Sequence, residues 1–146
     1  QRQMCIRDSP VTTQCTKNNG VSDGMAEFVC PLCATIHLSG STITLTSCAM
    51  AVMVMTNQSI GFGKMFPFIL MLGVTMVAAP GVPGGAVMAA LGILQSMLGF
   101  DETMCGLMIA LYIAQDSFGT ACNVTGDGAI AVFMAAITGK KKAAAK

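Results

Sequence analysis

Asp116-Ser117-Phe118-Gly119-Thr120-Ala121-Cys122-Asn123-Val124-Thr125-Gly126-Asp127 decides how this chain is read, because it sets two carboxylates inside an otherwise apolar run from Met104 to Ile137. Asp116, Thr120, Asn123 and Asp127 follow one another at steps of four, three and four. At ~100° per residue the whole interval comes round to within ~20° of its start, so the four polar side chains share one stripe of a helix. In surroundings this apolar the helix is expected to lie in a membrane. An acid at mid-bilayer costs ~2.5–3.5 kcal/mol and so faces a bundle interior, a cavity or an ion path. The stripe asks for a ligand.

The rest of the composition agrees. Of 146 residues, 53% are hydrophobic and 10% charged, with a mean hydropathy of +0.68, whereas soluble domains carry about 25% charged residues. Between Phe28 and Phe100 the only charged side chain is Lys64, which leaves no means of coating a water-facing surface. Nucleic acid is not an expected partner; a lipid membrane is. The net charge of +1 says less than the placement of the charges, since Lys140, Lys141, Lys142 and Lys146 follow directly on an apolar stretch. By the positive-inside rule that end is cytoplasmic.

Seven cysteines invite a disulfide or metal reading. Cys30, Cys33, Cys48, Cys105 and Cys122 lie in or beside apolar runs, however, where thiols act as small hydrophobes. Cys30-Pro31-Leu32-Cys33 has redox spacing without the βαβ context of a thioredoxin, and His37 is the one imidazole available to a zinc set. Gly81-Val82-Pro83-Gly84-Gly85 is no phosphate loop, because no Lys-Ser or Lys-Thr follows it.

Along the chain, Gln3-Met4-Cys5-Ile6-Arg7-Asp8-Ser9 resembles the translation of a sequencing adapter. Residues 1–9 are therefore expected to carry no structural information, and 10–146 to be the C-terminal part of a longer product. Residues 25–56 are apolar but too long for one crossing, at about 48 Å against a ~30 Å hydrocarbon core. A helix broken near Gly40, within His37-Leu38-Ser39-Gly40-Ser41, fits better. Residues 65–98 hold two arms, Met65–Ala79 and Ala86–Leu98, around Pro80-Gly81-Val82-Pro83-Gly84-Gly85. Each arm spans only about 20 Å, so the pair is expected to be a re-entrant hairpin with a non-helical tip. Asp101 and Glu102 suit the N-terminal turn of the last helix. Residues 103–138 are again over-long, with a break expected at Asn123-Val124-Thr125-Gly126-Asp127, and 139–146 form a basic tail. The fold class is an all-α, multi-pass membrane protein of discontinuous helices and a re-entrant hairpin, with no enzymatic chemistry implied.

Three of these segments carry a resemblance. Asn123-Val124-Thr125-Gly126-Asp127, the tip Gly81-Val82-Pro83-Gly84 and Pro31-Leu32-Cys33-Ala34-Thr35-Ile36 are similar, in order, to the C-terminal part of the dicarboxylate/amino acid:cation symporters, the glutamate transporter family. The resemblance runs from about Pro10 to Thr138. It implies a homotrimer in a bacterial-type inner membrane, with elevator-type transport domains to which this segment contributes two helices and the hairpin between them. It implies that Asp116 holds a substrate ammonium, Thr120 contributes a hydroxyl, Asn123 meets the α-carboxylate, and Val82, Pro83 and Gly84 close over the substrate. Asp127 matches the carboxylate that binds the coupling ion, Na+, with Asn123 beside it.

Two departures narrow the expectation. Members carrying acidic substrates have arginine where this chain has Gly119, and glycine cannot grip a carboxylate. No arginine occurs after Pro10. A small neutral amino acid is therefore the expected substrate, and Asp116-Ser117-Phe118 also resembles the serine/threonine symporter branch. Where the family reads Asn-Met-Asp-Gly-Thr, this chain has His37-Leu38-Ser39-Gly40-Ser41. His37 and Ser39 thus replace an amide and a carboxylate that help to hold sodium, and that site is expected to be weakened. His37 is read first as a hydrogen-bonded structural histidine and second as a proton-coupling group. The alternatives are a proton-coupled or dicarboxylate carrier of the same family and, from another class, an ion channel or pore subunit.

Overall fold

The computed structural model of the chain describes residues 2–79 and 82–139. Among these residues the secondary structure is helical: α1 (Arg2–Asn18), α2 (Asp23–Ile36), α3 (Ser39–Met55), α4 (Phe62–Val77), α5 (Gly85–Ile93) running on into a π turn (Leu94–Leu98), and α6 (Glu102–Thr138). The backbone of residues 2–9 is part of α1. Two stretches, Asp23–Met55 and Glu102–Thr138, are long and apolar enough to cross a membrane.

α2 and α3 are the two halves of the over-long 25–56 segment. The chain leaves helical geometry at His37 (φ −103°, ψ 93°) and Leu38 (φ −120°, ψ 44°). The break therefore precedes Gly40, which lies in the first turn of α3. Only two residues are extended, and Thr42 N–H returns to the Leu38 carbonyl at 3.0 Å to start the next helix.

The last segment corrects the expected pattern. α6 is one continuous helix of 37 residues, without a break at Asn123–Asp127. Glycine costs a helix only about 1 kcal/mol, and Gly126 and Gly128 interrupt nothing whose hydrogen bonds can close within the helix. Thr125 bonds back to the Ala121 carbonyl at 2.9 Å, as threonine does inside an intact helix. The polar side chains of this segment are instead used against α3 and the α2–α3 junction. Asp101 opens α6 as expected, its carboxylate accepting the Met104 N–H at 2.7 Å.

The main core lies between α3, α4, α5 and the N-terminal half of α6. Leu45, Val52 and Met53 meet Phe68, Leu72 and Met76, with Val87, Leu94, Met108 and Tyr112 closing the layer. α2 packs farther along α6, where Val29, Cys30 and Cys33 cover Ala131 and Ala26 covers Ala135. α6 is thus the spine: the hairpin α4–α5 sits on its first half and α1–α2 on its second. Phe62, Phe118, Phe133 and Ile137 point outward and are well exposed. Apolar surface of that kind faces lipid or further protein, not water. Pro80 and Gly81 of the expected hairpin tip, and the basic residues Lys140, Lys141, Lys142 and Lys146, lie outside the described residues.

Candidate functional site

Two helix N-termini converge on the polar stripe of α6. The first belongs to α5. Gly84, its N-cap, has φ +73°, a left-handed conformation that glycine adopts without penalty, and a Cβ built there would lie 3.4 Å from Ile113 Cγ1. This lets the hairpin turn rest on α6, where Gly84 N–H donates to Asp116 Oδ2 at 3.2 Å. A carboxylate at a helix N-terminus is favoured by the free amides and the dipole there. Asp116 Oδ1, in contrast, is buried and has no hydrogen-bond partner among the described residues. A buried acceptor left this way costs about 1–3 kcal/mol until a donor reaches it.

The second N-terminus is that of α3. Its N-cap position is Leu38, which has no capping side chain, and Asn123 of α6 supplies what is missing. Gly40 N–H donates to Asn123 Oδ1 at 2.8 Å, and Asn123 Nδ2 donates to Ser41 Oγ at 3.0 Å. Both ends of the amide therefore tie α6 to α3. One hydrogen on Nδ2 remains, since a primary amide carries two donors. Thr120 spends its hydroxyl hydrogen on the Asp116 carbonyl at 3.0 Å, leaving the oxygen free to accept.

At the far end of the stripe Asp127 is only 4% exposed. His37 Nδ1 lies 2.9 Å from its Oδ1, so the histidine between α2 and α3 is hydrogen-bonded to this acid. Gly126 makes the approach possible: a Cβ at that position would collide with the His37 ring. A protein whose helices meet this closely needs small residues at the crossing. The same holds at Gly40, where a Cβ would strike the Gly119 carbonyl.

The expected site residues are therefore only partly gathered. Asp116, Thr120 and Gly84 stand together; Asn123 and Asp127 lie farther along the stripe, each held by a residue of the α2–α3 junction. Gly119 faces α3 instead, its missing Cβ falling 3.3 Å from Thr44 Oγ1 and 3.5 Å from the Gly40 carbonyl. A long side chain there would have to push the two helices apart. Val82 and Pro83 are exposed on the turn, and Ser39 is exposed at the start of α3. The roles of Gly40 and Gly126 as close-contact points, and of Ser41 as the partner of Asn123, emerge only from the packing, because contacts between helices leave no periodic signal. Outside the stripe, Lys17 Nζ lies 2.6 Å from Glu27 Oε1 and 3.8 Å from Asp23 Oδ1. The hydrogen bond to Glu27 raises its ammonium above the ordinary lysine value, joined by the charges of Glu27 and Asp23 and opposed by partial desolvation.

Residues 9–137 match the model of the sodium:dicarboxylate symporter family. Among known proteins, excitatory amino acid transporter 5 of Mus musculus is 30% identical over 132 residues, which cover 90% of this chain and 23% of that protein. Neutral amino acid transporter A of Bos taurus is 29% identical over 111 residues, covering 76% and 21% respectively. Neutral amino acid transporter B(0) of Homo sapiens is 27% identical over 119 residues, covering 81% and 22%. The chain thus spans less than a quarter of the length of these relatives. No solved structure matches it at a significant level.

Proposed function

Because the chain belongs to the sodium:dicarboxylate symporter family, we propose that it is the C-terminal part of a transport domain in a secondary symporter, one that couples sodium flow to the uptake of a small neutral amino acid. The observation that carries this reading is the Asp116 carboxylate: one oxygen is held by the hairpin turn, and the other is buried without a donor. A substrate ammonium supplies a donor and a compensating positive charge at once. The Thr120 oxygen and the remaining Asn123 amide hydrogen lie next along the stripe, suited to the ammonium and the α-carboxylate respectively.

The neutral side chain follows from what is missing. The relatives include both excitatory and neutral amino acid transporters by name, so the family alone does not choose between them. The residues after Pro10 contain no arginine, and position 119 is packed against Thr44 and Gly40. Nothing in this segment offers the two parallel hydrogen bonds that a second carboxylate would need.

In this reading α4 and α5 form a re-entrant hairpin whose turn, at Val82, Pro83 and Gly84, closes over the substrate. Asp127 is the cation-binding carboxylate, a hard oxygen donor of the kind sodium takes. Closure and coupling share one requirement: the cation must bind the closed arrangement better than the open one, since a ligand shifts an equilibrium only by its differential affinity. The protein is a homotrimer in the plasma membrane, with the C-terminus cytoplasmic.

Uptake of radiolabelled substrates by the full-length protein in proteoliposomes tests the reading, with neutral and acidic amino acids compared at varied sodium. Neutral amino acids should be carried, in a saturable and sodium-dependent way, without single-channel currents. Asp116→Ala should abolish substrate binding while the protein still folds. Undiminished uptake in that variant, or a preference for acidic substrates, refutes the assignment.

A further inference from the structure

His37 lies at the junction of α2 and α3, and what it does there follows from its surroundings. Its Nδ1 lies 2.9 Å from Asp127 Oδ1. The carboxylate side chain is 6% exposed and the imidazole 25%, so the ring is the more solvent-accessible partner of the pair. His37 is the C-cap of α2: its N–H still bonds the Cys33 carbonyl at 2.7 Å, but its φ and ψ have left the helix, which turns the side chain off the α2 face. The α6 surface beneath it is cleared for it by Gly126, where any Cβ would collide with the ring.

The donor chemistry decides whether this ring is a ligand of the cation. Sodium is a hard ion that takes oxygen donors, and an imidazole nitrogen does not suit it. A neutral imidazole with hydrogen on Nδ1 makes a sound hydrogen bond to the carboxylate without help from any ion. One of the two Asp127 oxygens that could coordinate a cation is thus engaged by the ring. Asn123 Oδ1 likewise already accepts one hydrogen bond, from the Gly40 N–H.

We infer that the His37 imidazole is a tethered competitor of the coupling cation: it occupies Asp127 Oδ1, and a sodium ion takes both oxygens of that carboxylate only by displacing it. The inference rests on the reading of Asp127 as the cation-binding carboxylate. It makes His37 an affinity-determining residue that never touches the ion. The apparent affinity is lowered by the fraction of molecules in which the ring has swung away. Gly126 is then the residue that admits the competitor.

Sodium binding to the purified full-length protein provides the test, followed as thermal stabilisation by sodium chloride against choline chloride at constant ionic strength. His37→Ala removes the competitor without adding an oxygen ligand. It should tighten apparent sodium affinity about tenfold, the scale of one hydrogen bond to a charged group. Asp127→Asn should abolish the sodium response. If His37→Ala leaves sodium affinity unchanged or weaker while Asp127→Asn abolishes the response, the ring is no competitor, although Asp127 remains the cation residue. If Asp127→Asn still responds to sodium as the parent does, the reading of Asp127 fails and the inference fails with it.

A second measurement needs no truncated side chain. The ring nitrogens of His37, identified by their loss in His37→Gln, should change their 15N chemical shifts on saturation with sodium as the bond to Asp127 opens. Ring signals that stay fixed while sodium binds would overturn the inference.

Discussion

Gly40→Ala is the sharpest perturbation of the crossing on which the site depends. A methyl at this position would strike the Gly119 carbonyl and lie 2.7 Å from Cys122 Cβ, while Gly40 N–H already donates to Asn123 Oδ1 at 2.8 Å. The obstacles are a backbone carbonyl and a Cβ, neither of which can rotate out of the way. α3 must therefore move. Overpacking of this kind costs about 1–3 kcal/mol, and drawing the amide off its acceptor adds roughly 1 kcal/mol. The helix-propensity gain of alanine over glycine, about 1 kcal/mol at most, offsets part of this. The net expectation is a loss of about 1–3 kcal/mol in thermal unfolding of the detergent-solubilised full-length protein. Gly106→Ala is the control, since nothing lies within 4 Å of a Cβ built at that glycine inside α6, and it should be as stable as the parent or more so, by up to about 1 kcal/mol. If Gly40→Ala proves as stable as Gly106→Ala, α3 and α6 do not cross as closely as described, and the placement of Asn123 and Gly119 falls with that crossing.

Asp101→Ala removes the side chain that accepts the Met104 N–H and should destabilise α6 by about 1 kcal/mol, whereas Asp101→Asn retains most of the cap; equal unfolding midpoints for both variants would contradict the capping role. The Lys17 clasp on Glu27 predicts a pH dependence with a definite sign. Its ammonium is raised above the ordinary lysine value, so the native state holds the proton more tightly than the unfolded chain does. That stabilisation is complete below the ordinary lysine pKa and is lost as pH rises through the raised value. The difference in unfolding midpoint between the parent and Lys17→Met should thus stay constant through neutral pH and shrink only in the alkaline range; convergence already near neutrality would show that the clasp contributes nothing.

How much of this was legible beforehand depends on which property carried each element. The polar stripe of α6 could be read directly, because helical periodicity places residues on a face whatever packs there. At ~1.5 Å per residue against a fixed bilayer thickness, the over-long segment 25–56 and the two short apolar arms are visible in the sequence, and α2 and α3 are separate helices in the structure. For α6 length points the wrong way, since the helix is continuous. A polar, glycine-containing segment is consistent with a broken helix or with an intact one whose polar side chains serve a neighbour, and length alone cannot tell these apart. Here the neighbour took them: Asn123 caps α3 and Asp127 bonds His37, so the backbone had no reason to open.

The sequence by itself determined the membrane-type composition, the helical class, the shared face of Asp116, Thr120, Asn123 and Asp127, and the family resemblance, because each depends on spacing or residue type within one segment. Only the tertiary structure decided that Asp116 has one oxygen engaged by Gly84 and one left over, that position 119 faces α3, and that the single histidine lies against Asp127. Those facts join residues 32, 79 and 90 positions apart or turn on the direction of a missing Cβ. Contacts over such separations arise from the way α3 and the hairpin are laid against α6, and no local preference of the chain encodes them.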